Sequence, residues 1–205
     1  MKDPIDLWLL QNELSAGFEP VCGVDEAGRG PLAGPVCAAA VILPQGLVIE
    51  GLDDSKKLSE KKREALYDQV IASALSYGIA FASVEEIEQT DILSAALLAM
   101  NRAIAKLDPP PALALIDGNT TRSIAVNAKS VIGGDGKCAS IAAASILAKV
   151  TRDRLMRAAA GEYPQYGFDK HKGYGTKAHY AAIDEFGPCP IHRMSFLRKY
   201  YARKH

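Results

Sequence analysis

Residues 21–35, which read VCGVDEAGRGPLAGP, constrain the fold of this chain more than any other segment. A short apolar run at 21–24 leads directly to adjacent carboxylates at Asp25 and Glu26, and glycines and a proline follow. An apolar run that ends in this way predicts a buried strand entering a tight turn. The two carboxylates would then lie where the strand leaves the core, and buried carboxylates are costly unless they are paired or bound to a metal.

The glycines after Asp25 and Glu26 indicate what these acids could serve. Successive strand residues point to opposite faces, so both carboxylates reach one site only if the backbone turns here, which glycine permits. Gly28 and Gly30 would let a ligand approach the main chain, and Arg29 has the fixed charge that suits a phosphate. The segment would thus hold a divalent metal and a sugar-phosphate backbone, although a plain hairpin with solvated acids fits the same residues.

Composition places the chain among ordinary soluble domains. Its 205 residues, with 48% hydrophobic and 23% charged side chains, are enough for one domain with a sizeable core. The 24 basic and 24 acidic residues give zero net charge, which excludes a globally basic nucleic-acid binder but not a local basic face. Residues 193–205 are the most asymmetric stretch, basic without any acid, and both a solvated helix end and a phosphate contact fit them.

The cysteines and the N-terminus exclude several classes of protein. The four cysteines are scattered and form no CxxC pair, which argues against a zinc site and a disulfide framework and favours buried free thiols. The first residues lack the pattern of a signal peptide, and no apolar run reaches membrane-spanning length. We therefore expect a cytoplasmic protein that makes no use of a membrane.

Apolar runs and helical spacing divide the chain into elements. Strands are predicted at 21–24, 36–43, 77–84, 112–116 and 125–132, the first two paired as a hairpin. Helices are predicted at 6–14, 60–75, 85–107, 138–160, 176–186 and 192–201, and Gly161 is expected to close the fourth. Residues 163–176 are expected to form an aromatic and glycine-rich loop that suits contacts with a nucleic-acid backbone.

Acidic residues recur at the ends of these predicted strands. Asp117 ends the run at 112–116 and is followed by glycine, so it falls on the same edge as Asp25 if the two strands are neighbours. Asp135 lies in a further glycine turn. Several acids at converging ends indicate a site for a hard cation such as Mg²⁺ or Mn²⁺. Two such ions about 4 Å apart can activate a water and stabilise the departing oxygen at phosphorus.

Seven motifs in order along the chain resemble those of the bacterial ribonuclease HII family, the type 2 ribonucleases H. They are GVDEAGRGP at 23–31, DSKKL at 54–58, IDGN at 116–119, GD at 134–135, AAASILAKVTRD at 142–153, YGF at 166–168 and HKGY at 171–174. The resemblance covers residues 21–196, and the segment before it remains uninterpreted.

The resemblance implies an α/β, ribonuclease H-like fold: a mixed five-stranded sheet flanked by helices, with a C-terminal helical extension. Residues 1–20 would form a peripheral segment, 21–160 the catalytic core, and 161–205 the extension that completes the substrate site. It implies endonucleolytic hydrolysis of the RNA strand of RNA/DNA hybrids, and incision 5′ of single ribonucleotides in duplex DNA, leaving a 3′-hydroxyl and a 5′-phosphate. These duplexes would be its partners, and we expect a monomer.

The resemblance also implies roles for individual residues. The catalytic and metal-binding acids would be Asp25, Glu26, Asp117 and Asp135, with two Mg²⁺ or Mn²⁺ ions during catalysis. The ribose 2′-hydroxyl would be read by Gly28, Arg29 and Gly30, largely through the backbone, and the following deoxyribose would stack on Tyr174. Lys56 and Lys57 precede a predicted helix and are candidate phosphate contacts, although lysines in a loop are often simply solvated.

Other residues near these motifs receive structural roles. Asp153 is predicted to pair with a neighbouring cation, and Tyr163 and Tyr166 are predicted to pack. His171 and His192 are predicted to serve in loops or at phosphates, because hard cations prefer oxygen ligands.

Two rival functions fit the clustered acids. A junction resolvase on the same fold would share them but would leave the Gly-Arg-Gly sequence and Tyr174 unexplained. In a non-catalytic nucleic-acid-binding module, the acids would only position Mg²⁺.

Overall fold

A single mixed sheet forms the centre of the protein. The computed structural model describes residues 6–52, 55 and 58–202. Within them lie five strands: β1 Val21–Ala27, β2 Val36–Ile42, β3 Ser76–Ala82, β4 Leu113–Asp117 and β5 Ala128–Val131. Their order across the sheet is β3-β2-β1-β4-β5. The first three strands pair antiparallel, whereas β1–β4 and β4–β5 are parallel, which confirms the predicted hairpin and the mixed sheet.

Eight helices surround this sheet in the described part of the chain. They are α1 Leu7–Ser15, α2 Glu60–Ser73, α3 Val84–Gln89, α4 Ile92–Ile104, α5 Ala139–Glu162, α6 Phe168–His171, α7 Lys177–Phe186 and α8 Met194–Tyr201. None of the helices in these ranges has both the length and the apolar character needed to cross a membrane.

Strand alternation divides the core into two layers. Val24 and Ile116 pack on the face covered by α4. Ala39 and Val41 pack on the opposite face with α5 and α2, and Leu115 contacts Ile141 of α5 there. Side chains of odd number in β1 and β4 therefore point toward α5, because successive residues alternate between faces.

Close backbone contact joins α5 to β1. A Cβ atom added at Gly23 would lie 2.2 Å from the backbone of both Ser140 and Ile141, so only glycine fits at this position. Consecutive alanines from Ala142 to Ala144 are fully buried along the same helix, which confirms that the alanine-rich sequence allows close packing on the sheet.

Helix boundaries differ from the predicted ones where side chains cap the backbone. The expected helix at 85–107 is instead two helices, because Asp91 accepts hydrogen bonds from the amides of Leu93 and Ser94 and so begins α4. Ser83 and Glu86 form a capping box that begins α3. The helix α5 passes through Gly161 and ends at Glu162, so the prediction that Gly161 closes it is wrong.

The C-terminal region builds its own apolar cluster against the end of α5. Phe168, Ile183 and Leu197 are buried there beside Met156 of α5. Residues 163–176 are more regular than the predicted loop, because they contain a 3₁₀ turn at Pro164–Tyr166 and the short helix α6. Tyr166 is buried and donates a hydrogen bond to the carbonyl of Gly187, as expected of a packing residue.

The three histidines in the described part of the chain lie together in this cluster. The rings of His171 and His179 stack at 4.4 Å, and Nε2 of His179 lies 3.0 Å from Nε2 of His192. His179 and His192 are both buried, and His192 lies between α7 and α8, so of its two predicted roles, in a loop or at a phosphate, the loop role is the one that fits. Burial lowers the pKa of His179 to about 4, which keeps its ring neutral at pH 7.

The contact at Gly23 predicts a large loss of stability when a side chain is added. We expect Gly23→Ala to lower the free energy of unfolding by about 3 kcal/mol, because the new methyl group would meet backbone that cannot rotate away. Urea unfolding followed by circular dichroism measures this change.

Gly161→Ala is the matched control for this variant. Gly161 lies within α5 and a Cβ there would meet nothing within 4 Å, so we expect a gain of about 0.5–1 kcal/mol. Equal stability of Gly23→Ala and the unmodified protein would contradict the inferred contact.

Candidate active site

Two carboxylates meet at the carboxyl ends of neighbouring parallel strands. The register pairs Val24 of β1 with Ile116 of β4, so Asp25 and Asp117 follow at the same level. Both have odd numbers and therefore point toward α5. The prediction that these acids share an edge is confirmed, because the strands that carry them are adjacent.

A tight turn brings Asp135 to this pair. Asp135 lies in the 3₁₀ turn Gly134–Gly136, and the amide of Gly134 donates a 2.7 Å hydrogen bond to Oδ1 of Asp117. Gly134 allows the turn to lie close to the sheet, since a Cβ there would be 2.5 Å from Cδ1 of Ile141. Carboxylate oxygens of Asp25, Asp117 and Asp135 consequently lie within 4.8 Å of one another.

Burial disfavours negative charge on these carboxylates unless a cation is bound between them. Asp25 is only 4% exposed, and burial raises its pKa well above the usual range; the charges of Glu26 and Asp117 raise it further. Ser145 and the amide of Glu26 donate hydrogen bonds to Asp25, which partly offset this effect. Three close carboxyl groups with oxygen donors only are what a hard divalent cation requires, so the residues present fit such an ion.

Glu26 leaves β1 on the face opposite to Asp25. The strand β1 continues through Ala27, so the backbone does not turn between the two acids. Glu26 nevertheless lines a small crevice with Asp117, Asn119 and residues of α4. One of its carboxylate oxygens accepts a 3.3 Å hydrogen bond from Arg29.

The predicted substrate-reading residues come together beside the acids. Gly28 has a φ of +104°, which favours glycine, and a Cβ at Gly30 would lie 3.5 Å from the ring of Tyr174. Tyr174 and Arg29 are both exposed, with 44% of Tyr174 accessible. The loop of β1 and the C-terminal region thus form one exposed surface.

Helix α5 supports this surface with polar side chains from successive turns. The hydroxyl of Ser145 lies 2.8 Å from that of Ser55, next to Asp25. The ammonium of Lys149 lies 5.9 Å from the centre of the Tyr174 ring and 2.7 Å from Asp153. The prediction that Asp153 is an ion-pair partner is confirmed. Lys56 and Lys57 lie outside the described residues.

The sequence did not predict the burial of two arginines, Arg152 and Arg193. Arg152 is 1% exposed, and Arg193 is fully buried rather than part of a solvated helix end or a phosphate contact. Both guanidinium groups donate to backbone carbonyls of the segment that follows β1. Burial lowers the pKa of Arg193 to about 9, and the positive charge of Arg152 contributes, but the group remains charged at pH 7. The only signal in the sequence was the polar position of Arg152 on an alanine-rich helix.

Known proteins resemble this chain over most of its length. The model of a family described as Ribonuclease HII matches residues 22–199. A ribonuclease HII from Burkholderia mallei (strain SAVP1) is 56% identical over 184 residues, which cover 90% of this chain and 86% of that protein.

Solved structures share the fold. The ribonuclease H2 of Pyrococcus horikoshii OT3 superposes with a TM-score of 0.73 at 26% identity, covering 89% of this chain and 97% of that one. Bst-RNase HIII in complex with Mn²⁺ superposes with a TM-score of 0.66 at 18% identity, covering 89% of this chain and 67% of that one. The predicted ribonuclease H-like fold, with its mixed five-stranded sheet and helical C-terminal region, is therefore confirmed.

The three-carboxylate group predicts a specific response to Asp117→Asn. An asparagine Oδ1 can still accept from the amide of Gly134, while the substitution removes one of the charges that repel Asp25. We expect the metal-free variant to unfold at or above the temperature of the unmodified protein. The stabilisation by Mn²⁺, about 2.7 kcal/mol at a hundredfold excess over Kd, should be largely lost.

Thermal unfolding with and without MnCl₂ measures both effects. Glu13→Gln, which removes an exposed carboxylate outside the group, is the matched control and should retain the full response to Mn²⁺. An undiminished response of Asp117→Asn to Mn²⁺ would contradict the site.

Proposed function

This chain belongs to the ribonuclease HII family and is a ribonuclease H, an endonuclease that hydrolyses RNA in RNA/DNA hybrids; we propose that it also incises duplex DNA 5′ of a single ribonucleotide. The observation that carries the proposal is that Gly30, on the loop that follows Asp25, lies close to the exposed ring of Tyr174. Locally, RNA differs from DNA by its 2′-hydroxyl, so recognition of one ribonucleotide needs a close backbone approach of this kind.

We infer that Mg²⁺ or Mn²⁺ is bound by Asp25, Asp117 and Asp135, and that two ions take part in catalysis. Such ions, when bound, supply an activated water and stabilise the leaving oxygen of an in-line displacement at phosphorus. The acids hold this chemistry at one edge of the sheet, and the burial of Asp25 strengthens its interaction with a cation. Glu26 would act from the other face of β1, where it lines a crevice together with Asp117 and Asn119.

The surface beside the acids accounts for the recognition of substrate. Gly30 is exposed and leaves the main chain open to the ribose, whereas Gly28 is buried against Arg152 and would contribute through its backbone. The exposed guanidinium of Arg29 suits an adjacent phosphate. The exposed ring of Tyr174 offers a face on which the next sugar can stack. Cleavage of the phosphodiester bond on the 5′ side of the ribonucleotide would leave a 3′-hydroxyl and a 5′-phosphate.

Further predictions from the sequence belong to the same proposal. Lys56 and Lys57 would contact phosphates near the start of α2, and the enzyme would act as a cytoplasmic monomer. The division into a peripheral segment at 1–20, a core at 21–160 and an extension at 161–205 is retained. In this scheme the extension supplies Tyr174 to a site whose acids all come from the core.

A panel of duplexes tests the proposed specificity. We expect cleavage of an RNA/DNA hybrid and a single cut 5′ of one ribonucleotide in DNA, with no cut in an all-DNA duplex or four-way junction. Gel mapping of end-labelled strands gives the positions. Asp25→Asn should abolish both cuts while binding persists, because it removes one metal ligand but keeps the fold. Cleavage of the all-DNA junction would favour a resolvase, and full activity of Asp25→Asn would remove the metal mechanism.

Tyr174→Ala tests recognition of the following sugar. Stacking on an aromatic ring is worth about 1–3 kcal/mol, so kcat/KM at a single ribonucleotide should fall about 5- to 150-fold. Cleavage within a long hybrid should fall less, because no deoxyribose follows the scissile ribonucleotide there. Tyr174→Phe keeps the ring and serves as the control. A loss of equal size on both substrates would contradict the proposed role.

A further inference from the structure

The carbonyl groups of the segment after β1 point into the protein rather than toward solvent. The guanidinium of Arg193 donates to the carbonyls of Gly28 at 2.7 Å, Arg29 at 3.1 Å, Pro31 at 2.8 Å and Gly34 at 2.6 and 2.9 Å. The backbone amide of Arg193 donates to a further carbonyl, that of Leu32, at 2.8 Å. One residue thus binds most of the loop that contains the Gly-Arg-Gly sequence.

This orientation of the carbonyls determines where the amides of the loop point. In a trans peptide the N–H group points opposite to the C=O group of the same unit. Because the carbonyls of Gly28 and Arg29 point toward Arg193, the N–H groups of Arg29 and Gly30 point away from it. The side away from Arg193 is the exposed one, where Gly30 lies next to the ring of Tyr174.

A chain of hydrogen bonds connects His192, the residue before Arg193, to the backbone of Tyr174. The amide of Cys189 donates to Nδ1 of His192, so Nε2 of His192 carries the proton and donates to Nε2 of His179 at 3.0 Å. His179 then donates from Nδ1 to the carbonyl of Tyr174, also at 3.0 Å. These bonds fix both rings in one neutral tautomer.

The same short segment is also tied to the loop through its backbone. His192 forms a β-bridge with Ala33, and the carbonyl of Ile191 accepts from the amide of Gly34. The amide of Leu32 donates to the carbonyl of Gly173, next to Tyr174, at 2.8 Å. Residues 191–193 are therefore bonded directly to the loop, and the loop itself is bonded to the residue before Tyr174.

We propose that His192 and Arg193 are positioning residues that set the glycine loop and Tyr174 at the spacing needed to recognise a ribonucleotide. Arg193 turns the amides of Arg29 and Gly30 toward the ribose, and His192 holds the backbone of Tyr174 through His179. Neither residue touches the reacting phosphate. The inference rests on the proposed function, because it explains how the same surface acquires its specificity.

Arg193→Lys tests the role of the guanidinium group. Lysine keeps the charge but cannot donate to several carbonyls in a fixed fork, so the amides of Arg29 and Gly30 should lose their orientation. Fluorescence anisotropy gives the affinities for a DNA duplex with one ribonucleotide and for the same duplex without it, in an inactive Asp25→Asn background. We expect the preference for the ribonucleotide to fall about tenfold, with little change in affinity for all-DNA duplex.

Arg102→Lys is the control for this measurement. The guanidinium of Arg102 also donates to a backbone carbonyl, that of Phe81, and to Glu86, away from the segment after β1. It should lose some stability while keeping its preference for the ribonucleotide. An equal loss of preference in both variants, or none in Arg193→Lys, would overturn the positioning role.

His192→Phe tests the proposed role of His192 in holding Tyr174. This test is independent of Arg193→Lys and still decides the question if that variant does not fold. Phenylalanine can still pack on Tyr166 and Phe168 but breaks the hydrogen bonds to His179. We expect the ratio of kcat/KM on a single ribonucleotide to that on a long hybrid to fall about fivefold or more, as for Tyr174→Ala. A proportional loss on both substrates would show a merely structural role and overturn the inference.

The unmodified protein separates failure of this inference from failure of the proposed function. If it cuts hybrids but shows no preference for a duplex with one ribonucleotide, the proposed function fails and the inference fails with it. If it shows the preference and the variants retain it, only the positioning role is overturned.

Discussion

Contact between the backbones of α5 and β1 is the constraint on which the rest of the structure depends. It exists because residue 23 has no side chain, so the backbone of Ser140 and Ile141 can lie directly against it. At this distance the later turns of α5 come directly over the site, with Ser145 at Asp25 and Lys149 beside Tyr174. A larger residue at the contact would move the helix and every group that it carries.

Buried charge is stabilised in different ways at the acidic site and at the two arginines beneath the neighbouring loop. Burial and the neighbouring charges of Glu26 and Asp117 raise the pKa of Asp25, and a cation between the carboxylates would relieve this repulsion. The guanidinium groups of Arg152 and Arg193 are instead surrounded by carbonyl oxygens, so their donors are satisfied within the protein. The carboxylate group is therefore suited to binding a cation, while the two arginines need no further partner.

In the proposed function, the C-terminal region is part of the recognition surface. Its own apolar cluster packs on Met156 at the end of α5, which anchors it to the core. From this anchor it supplies an exposed ring at Tyr174 and a buried guanidinium at Arg193, on opposite sides of the same loop. Two segments far apart in sequence thereby act as one rigid unit, as precise recognition of a sugar requires.

The sequence by itself determined the strands, their acidic ends and the family motifs. An apolar run followed by Asp and Gly, as at Asp117, has one stable reading: a buried strand that ends at a polar edge. Tertiary structure alone decided that Arg193 is buried beneath the loop after β1. The cap at Asp91 and the opposite directions of Asp25 and Glu26 follow instead from local signals that the prediction overlooked. The reason is physical: strand and helix periodicity leave local patterns, whereas hydrogen bonds from Arg193 to carbonyls more than 150 residues earlier leave none.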